Sequence, residues 1–384
     1  MKNRITYVLM LVGLLQINSL FGNHSPRQKK LHKPVVEESY KQTIQVALLL
    51  DTSNSMDGLI NQAKAQLWEI VNQLSYAKCR SVQPNLEIAL YEYGNDRLSS
   101  REGYIKQVIG FSNDLDEISE KLFSLTTNGG SEFCGQVINT SIKQLDWGKN
   151  DDDLRMVFIA GNEPFNQGRL SYKDAITDAK EKDIVVNTIY CGDYRSGVQT
   201  HWKDGADLGR GDYMNIDHNR AVVHISTPYD DIIIQLNSKL NNTYVPYGSY
   251  GVAKSIKQRA QDSNAAELDE VVSVKRAVTK SGRLYNNSQW DLVDAEKEDD
   301  FSYAKIEKKK LPKELQDKST AQLKAYVATK SAERKKIQKE IQDLNKKRTV
   351  FIAAKQKEGT DKADLENAMI NTIKRQAKTK GYQW

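Results

Sequence analysis

The strongest constraint on this chain is the run IQVALLL at residues 44–50, which ends on Asp51. An apolar run of this length, bounded by polar sequence, reads as a strand buried on both faces. Such strands belong to parallel sheets covered by helices on either side. The residues just after the run are equally specific: Asp51, Ser53 and Ser55 alternate along the loop DTSNSM.

Strand and helix patterns alternate from residue 44 to about residue 245, which predicts an α/β layer fold. Residues 59–74 have helical spacing and 85–94 form a second strand. Residues 103–111 come after only a short polar turn, so they read as an antiparallel edge strand. Helices are expected over 112–125 and 136–147, core strands over 154–160 and 184–191, and a last short strand over 211–217. A helix over 229–242 closes this unit.

In a parallel α/β sheet, ligands bind beyond the carboxyl ends of the strands, where the strand order reverses. Asp51, Ser53 and Ser55 sit at such an end. One carboxylate and two hydroxyls, completed by waters, suit a hard divalent cation such as Mg²⁺, with Mn²⁺ or Ca²⁺ as alternatives. Two further strand-to-helix loops can contribute. NGGSEFCG (residues 128–135) presents Ser131 beside two glycines, and AGNEPFNQG (residues 160–168) presents Asn162 and Glu163.

With these three loops in this order, the region resembles the von Willebrand factor A domain. That family carries a metal-ion-dependent adhesion site built from Asp-x-Ser-x-Ser, a Thr or Ser in a second loop and an Asp in a third. The resemblance implies a doubly wound, mostly parallel six-stranded sheet. It also implies metal ligation by Asp51, Ser53, Ser55 and Ser131, a protein partner that presents a carboxylate, and no enzymatic activity; with Asp51 as the only assured carboxylate, the cation is expected to bind weakly. One departure is plain: family members usually carry Thr-Asp-Gly after the third-loop strand, and this chain has Ala160-Gly161-Asn162. Asn162 or Glu163 would then have to reach the metal or its waters. The other readings are a scaffold with a degenerate, metal-free site and, more distantly, a phosphohydrolase. The latter would use Asp51 as nucleophile, but Ser53 stands where its general acid should be.

The ends differ in character. Lys2 and Arg4 precede the apolar stretch ITYVLMLVGLL, and NSLFGN comes after it, so residues 1–22 read as a secretory signal peptide. Residues 23–43 read as a basic linker. The domain proper spans 44–245, residues 246–314 form a mixed helical linker, and 315–384 a coiled-coil-like helical hairpin that turns near Gly359. The mature protein is expected to be periplasmic or secreted, with no stable transmembrane anchor.

Residues 251–384 hold 30 Lys/Arg against 20 Asp/Glu, whereas residues 1–250 hold 26 against 30. The basic excess therefore lies in the C-terminal helices. Its interleaving with acids reads as a solvated face rather than a nucleic-acid surface, and the contact expected is with a protein partner, an acidic envelope surface or the acidic domain itself. Deleting residues 315–384 is expected to leave the domain folded. There is no CxxC, GxSxG or Walker-type loop among these residues. The three cysteines leave room for one disulfide, expected between Cys134 and Cys191 at the rim of the site. Arg210-Gly211-Asp212 spells an adhesion tripeptide, a match too short to weigh.

Overall fold

The computed structural model describes residues 41–79, 81–216, 225–358 and 365–384. The leader, most of the basic linker and the turn near Gly359 lie outside the described residues. In chain order the strands are β1 (Thr43–Asp51), β2 (Lys78–Cys79), β3 (Asn85–Tyr93), β4 (Ile105–Ser112), β5 (Leu154–Gly161), β6 (Val185–Cys191), β7 (Arg210–Ile216) and β8 (Tyr382–Gln383). The helices of the first half are α1 (Asp57–Ser75), α2 (Leu115–Phe123), α3 (Cys134–Gln144), α4 (Tyr172–Glu181), α5 (Tyr194–Gln199), α6 (Trp202–Leu208) and α7 (Asp230–Asn241). Those of the second half are α8 (Gly251–Leu268), α9 (Glu270–Lys280), α10 (Leu292–Ala295), α11 (Thr320–Glu358) and α12 (Leu365–Lys378).

Six strands form one sheet in the order β4-β3-β1-β5-β6-β7. Every neighbouring pair is parallel except β3 with β4, which is the edge pair the short turn predicts. β1 is central, paired with β3 on one side and β5 on the other, so the strand order reverses there. Asp51 and Gly161 end these adjacent strands and open onto the crevice where this fold class binds ligands.

The two-residue period of each strand separates two cores. Val46 and Leu50 of β1, Ile88 and Leu90 of β3, and Met156 and Phe158 of β5 face one core, which Trp68 of α1 and Ile118 of α2 help fill. Ala47, Leu49, Ala89, Tyr91, Tyr93, Val157 and Ile159 face the other, with Val137 of α3, Ile176 of α4 and Trp202 of α6.

The C-terminal helices do not stand apart. Residues 41–384 form a single compact unit, and α11 runs against α7, α9 and α10 while α12 lies against α1 and β7. The near-heptad stripe of α11 faces this body: Ile341 is fully buried, and Ile337 and Leu344 pack beside it. Two arginines share that seam. Arg334 Nη1 donates to Asp291 at 2.7 Å and its guanidinium stacks 4.0 Å from the ring of Tyr244; Arg348 Nε donates to Asp230 at 3.0 Å. β8 pairs antiparallel with β2, which buries Tyr382. The expectation that residues 315–384 can be removed without touching the core is therefore corrected, because Ile341, Met369, Ile373 and Tyr382 belong to it. Among the described residues no helix is long and apolar enough to cross a membrane.

Candidate metal site

Asp51 closes β1 and is fully buried. Its Oδ1 accepts a hydrogen bond from Ser53 N–H at 2.7 Å, which turns the chain out of the strand. Oδ2 has no partner, and neither does the buried hydroxyl of Ser53. Ser55 is exposed, and its Oγ accepts from Asn162 Nδ2 at 3.1 Å; the other amide atom of Asn162, Oδ1, is buried without a partner. Buried polar atoms are rarely left unsatisfied, so three such oxygens on two adjacent loops mark a place for a ligand.

Backbone hydrogen bonds hold the loops in register. Asn54 N donates to Gly129 O at 3.0 Å and Asn128 N to Thr52 O at 3.0 Å, joining the first loop to the second. Ser131 is half-buried and forms an isolated bridge with Gly94, at the end of β3. Glu163 is half-buried. Its Oε2 accepts from Gln167 Nε2 at 3.0 Å and its carbonyl from Trp202 Nε1 at 2.8 Å. The structure thus gathers Asp51, Ser53, Ser55 and Asn162, sets Ser131 on the neighbouring loop, and places Glu163 within electrostatic reach of Asp51.

Glu132 is the residue that the sequence reading misses. It is buried, 4 % exposed, although it lies in a loop. Gly94 makes this burial practicable. A Cβ at that position would meet Glu132 Cγ at 2.8 Å and Asp51 Oδ1 at 2.9 Å, and its φ of +78° is itself a glycine conformation. The one available signal was the glycine directly after the second strand, in EYGND.

Burial pushes the Asp51 carboxyl up to about 7; Glu132 and Glu163 add to this, while the Ser53 amide opposes it. Burial and the Glu163 carboxylate likewise raise Glu132. Among the described residues no Lys or Arg forms an ion pair with either acid. The site is an uncompensated cluster of acids at the N-terminal ends of α1 and α3, so a divalent cation fits its donors: one or two carboxylates, a buried hydroxyl and an amide oxygen. No three His, Cys, Asp or Glu of the described residues are grouped to hold a metal. A cation here must therefore rely on Ser53 and water as well as carboxylate.

The absent third-loop Asp has a steric counterpart. A Cβ on Gly161 would lie 2.5 Å from Tyr93 Oη and 3.1 Å from Asp51 Oδ2. Tyr93 is fully buried and donates to Ala160 O at 2.9 Å, occupying that space.

The Cys134–Cys191 disulfide is not formed, and all three cysteines are buried and unbridged. The reason is the sheet itself. Cys134 lies in the core on the α3 side and Cys191 points into the opposite core. Neither does the Arg-Gly-Asp tripeptide form an exposed loop. It begins β7, with Arg210 paired to Asp183 at 3.2 Å and Asp212 accepting from Thr372 at 2.7 Å and pairing with Arg375.

Residues 45–201 match the sequence model of the von Willebrand factor type A domain. Solved structures with similarity include a von Willebrand factor type A protein from Catenulispora acidiphila (15 % identity, 46 % of this chain and 39 % of that one, TM-score 0.35). Another is the pilus adhesin SpaC from Lactobacillus rhamnosus GG in its open conformation (13 %, 47 % and 28 %, 0.34). A third is proximal thread matrix protein 1 from the mussel byssus with a zinc-occupied MIDAS motif (13 %, 46 % and 42 %, 0.33). The chain spans less than half the length of each of these three. No curated protein matches it. The family match at residues 45–201, the reversal of strand order at β1 and the loop chemistry around Asp51 agree: this chain carries a von Willebrand factor type A domain.

Proposed function

We propose that this chain is an exported binding module that holds a divalent cation at Asp51, Ser53 and Ser55 and grips a carboxylate of a protein partner through it. The observation that carries this reading is the set of buried, unpartnered oxygens, Asp51 Oδ2, Ser53 Oγ and Asn162 Oδ1, at the strand-order reversal. Such atoms cost stability while empty and lose that cost on a cation. Mg²⁺, Mn²⁺ and Ca²⁺ all suit oxygen donors of this kind, and Ser131 is placed to join from the second loop. The module acts by binding rather than by catalysis. Exposed Lys335, Lys336, Lys339, Lys346 and Lys347 on α11 offer a second, basic contact for an acidic envelope surface. Export is inferred from the leader-like residues 1–22, with cleavage releasing a periplasmic or secreted protein.

Titration calorimetry with Mg²⁺ and Mn²⁺, alone and with an acidic peptide, tests this. The full chain should bind the cation weakly, and more tightly with the peptide present. Ser53→Ala together with Ser55→Ala should abolish both. The second reading, a scaffold with a metal-free site, is favoured by one observation: Tyr93 fills the space beside Gly161. It prevails if the parent takes up no cation under either condition. Hydrolysis of a generic phosphate ester dependent on Asp51 would instead favour the phosphohydrolase.

A further inference from the structure

We infer that Glu132 is the second carboxylate ligand of the cation site, so that charge missing from the third loop is supplied by the second. The inference rests on the reading of Asp51, Ser53 and Ser55 as a cation site and names a residue that this reading does not include.

Glu132 comes directly after Ser131 on the loop that lies across from DTSNSM, and the backbone bonds Asn54 to Gly129 and Asn128 to Thr52 fix that loop's position. A loop carboxylate ordinarily turns to solvent; this one is 4 % exposed. Its Cγ and Asp51 Oδ1 both lie within 3 Å of the point where a side chain on Gly94 would begin, at 2.8 and 2.9 Å. Two buried carboxylates so close repel each other, and no Lys or Arg among the described residues pairs with either. A buried acid pair without a counter-charge is costly unless something cationic joins it.

The unpartnered Asp51 Oδ2 and Ser53 Oγ are a separate sign of what joins it, since both are buried. A divalent cation there balances two carboxylates, and it draws on oxygen donors from two loops. Third-loop replacement is blocked by Tyr93 Oη, 2.5 Å from a Cβ at position 161, whereas Gly94 opens the space on the Glu132 side. The steric pattern therefore admits the second carboxylate from one direction and closes the other.

The test compares the full chain with Glu132→Gln and Glu132→Asp by thermal unfolding, with EDTA or with saturating Mn²⁺, together with Mn²⁺ titration followed by electron paramagnetic resonance. Removing one of two repelling charges should raise the melting temperature in EDTA by about 2–4 °C. The same Glu132→Gln change should weaken Mn²⁺ binding by about tenfold or more, and Glu132→Asp should recover part of it. A merely structural Glu132 would move both readouts differently: Gln would melt lower in EDTA and keep the parent's Mn²⁺ affinity. That outcome overturns the assignment while leaving the Asp51 site intact. A parent that shows no Mn²⁺ binding removes the site and the assignment together.

Discussion

Tyr93 and Gly161 are complementary in shape. The phenol hydroxyl of Tyr93, at the end of β3, sits 2.5 Å from where a side chain on Gly161 would begin and donates at 2.9 Å to the carbonyl of Ala160. The two residues lie on strands separated by β1, at the same end of the sheet as Asp51. The departure from the family's usual third-loop Asp is thus coupled to a bulky neighbour rather than being an isolated loss.

This coupling sets what restoring an acid there, Gly161→Asp, would do to cation affinity. With Tyr93 in place, the new Cβ overpacks the site, and the variant should lose about 1–3 kcal/mol with no gain in affinity. Tyr93→Phe combined with Gly161→Asp removes the clashing oxygen and should bind Mn²⁺ more tightly than either single variant. Calorimetric titration of the three proteins, beside denaturant unfolding, decides it. Tighter binding by Gly161→Asp alone would show that Tyr93 moves freely.

The sheet was legible because continuous apolar runs and helical spacing leave few alternatives; Asp51, Ser53 and Ser55 were legible because they sit directly at a strand end. Glu132 was not, since its burial depends on Gly94, nearly forty residues away in sequence, and a lone acid in a Gly-Gly loop looks solvated. The C-terminal helices misled for a similar reason. Arg334 and Arg348 lie on a highly charged helix, and nothing local shows that Asp291 and Asp230 stand opposite them in a buried seam.

Removing residues 365–384 should therefore destabilise the whole unit rather than trim a tail. The deletion strips Met369, Ile373 and Tyr382 from the core, and each buried side chain of this kind contributes roughly 1.5–3 kcal/mol. It also leaves Asn187 without its bond to Gln376 Nε2, at 2.6 Å. A loss of about 5 kcal/mol or more is expected, seen as a much lower urea midpoint or loss of cooperative unfolding. An unchanged midpoint would mean that the helix adds nothing to the core.

The thiols should behave as three separate, inert groups. Burial pushes Cys134 and Cys191 well above the ordinary thiol value, and Tyr93 Oη lies 3.9 Å from Cys134 Sγ. A thiol reagent should find none in the native protein and three in guanidinium, with the same count before and after reduction. A lower count without reductant would reveal a bridge.

Arg276 is held by two carboxylates, Asp116 at 2.8 Å and Asp262 at 2.6 Å, and is almost wholly buried over Trp68. Breaking such a pair leaves buried charge without a partner, so Arg276→Met should cost about 3–5 kcal/mol. Adding Asp116→Asn should return part of that loss. If the double variant is no more stable than the single one, unpaired charge is not the cause.

Lys280 supplies the last expectation, which concerns pH. Its ammonium is fully buried, and burial lowers its pKa to about 8 even though Asp262, at 2.8 Å, opposes the shift. Arg276 nearby also disfavours the charge, and Asn241 Oδ1 accepts from Nζ at 2.5 Å. Because the folded value lies below the ordinary lysine value of 10.5, the unfolded chain holds more protons between the two, and stability rises with pH across that window. The contribution approaches about 1.4 kcal/mol per pH unit at most. Other lysines and tyrosines titrate there as well, so the quantity to read is the difference from Lys280→Met. Urea unfolding at pH 7.5, 9 and 10 should show the parent gaining on the variant as pH rises. Parallel curves would mean that Lys280 keeps its proton throughout, held by Asp262 more strongly than burial weakens it.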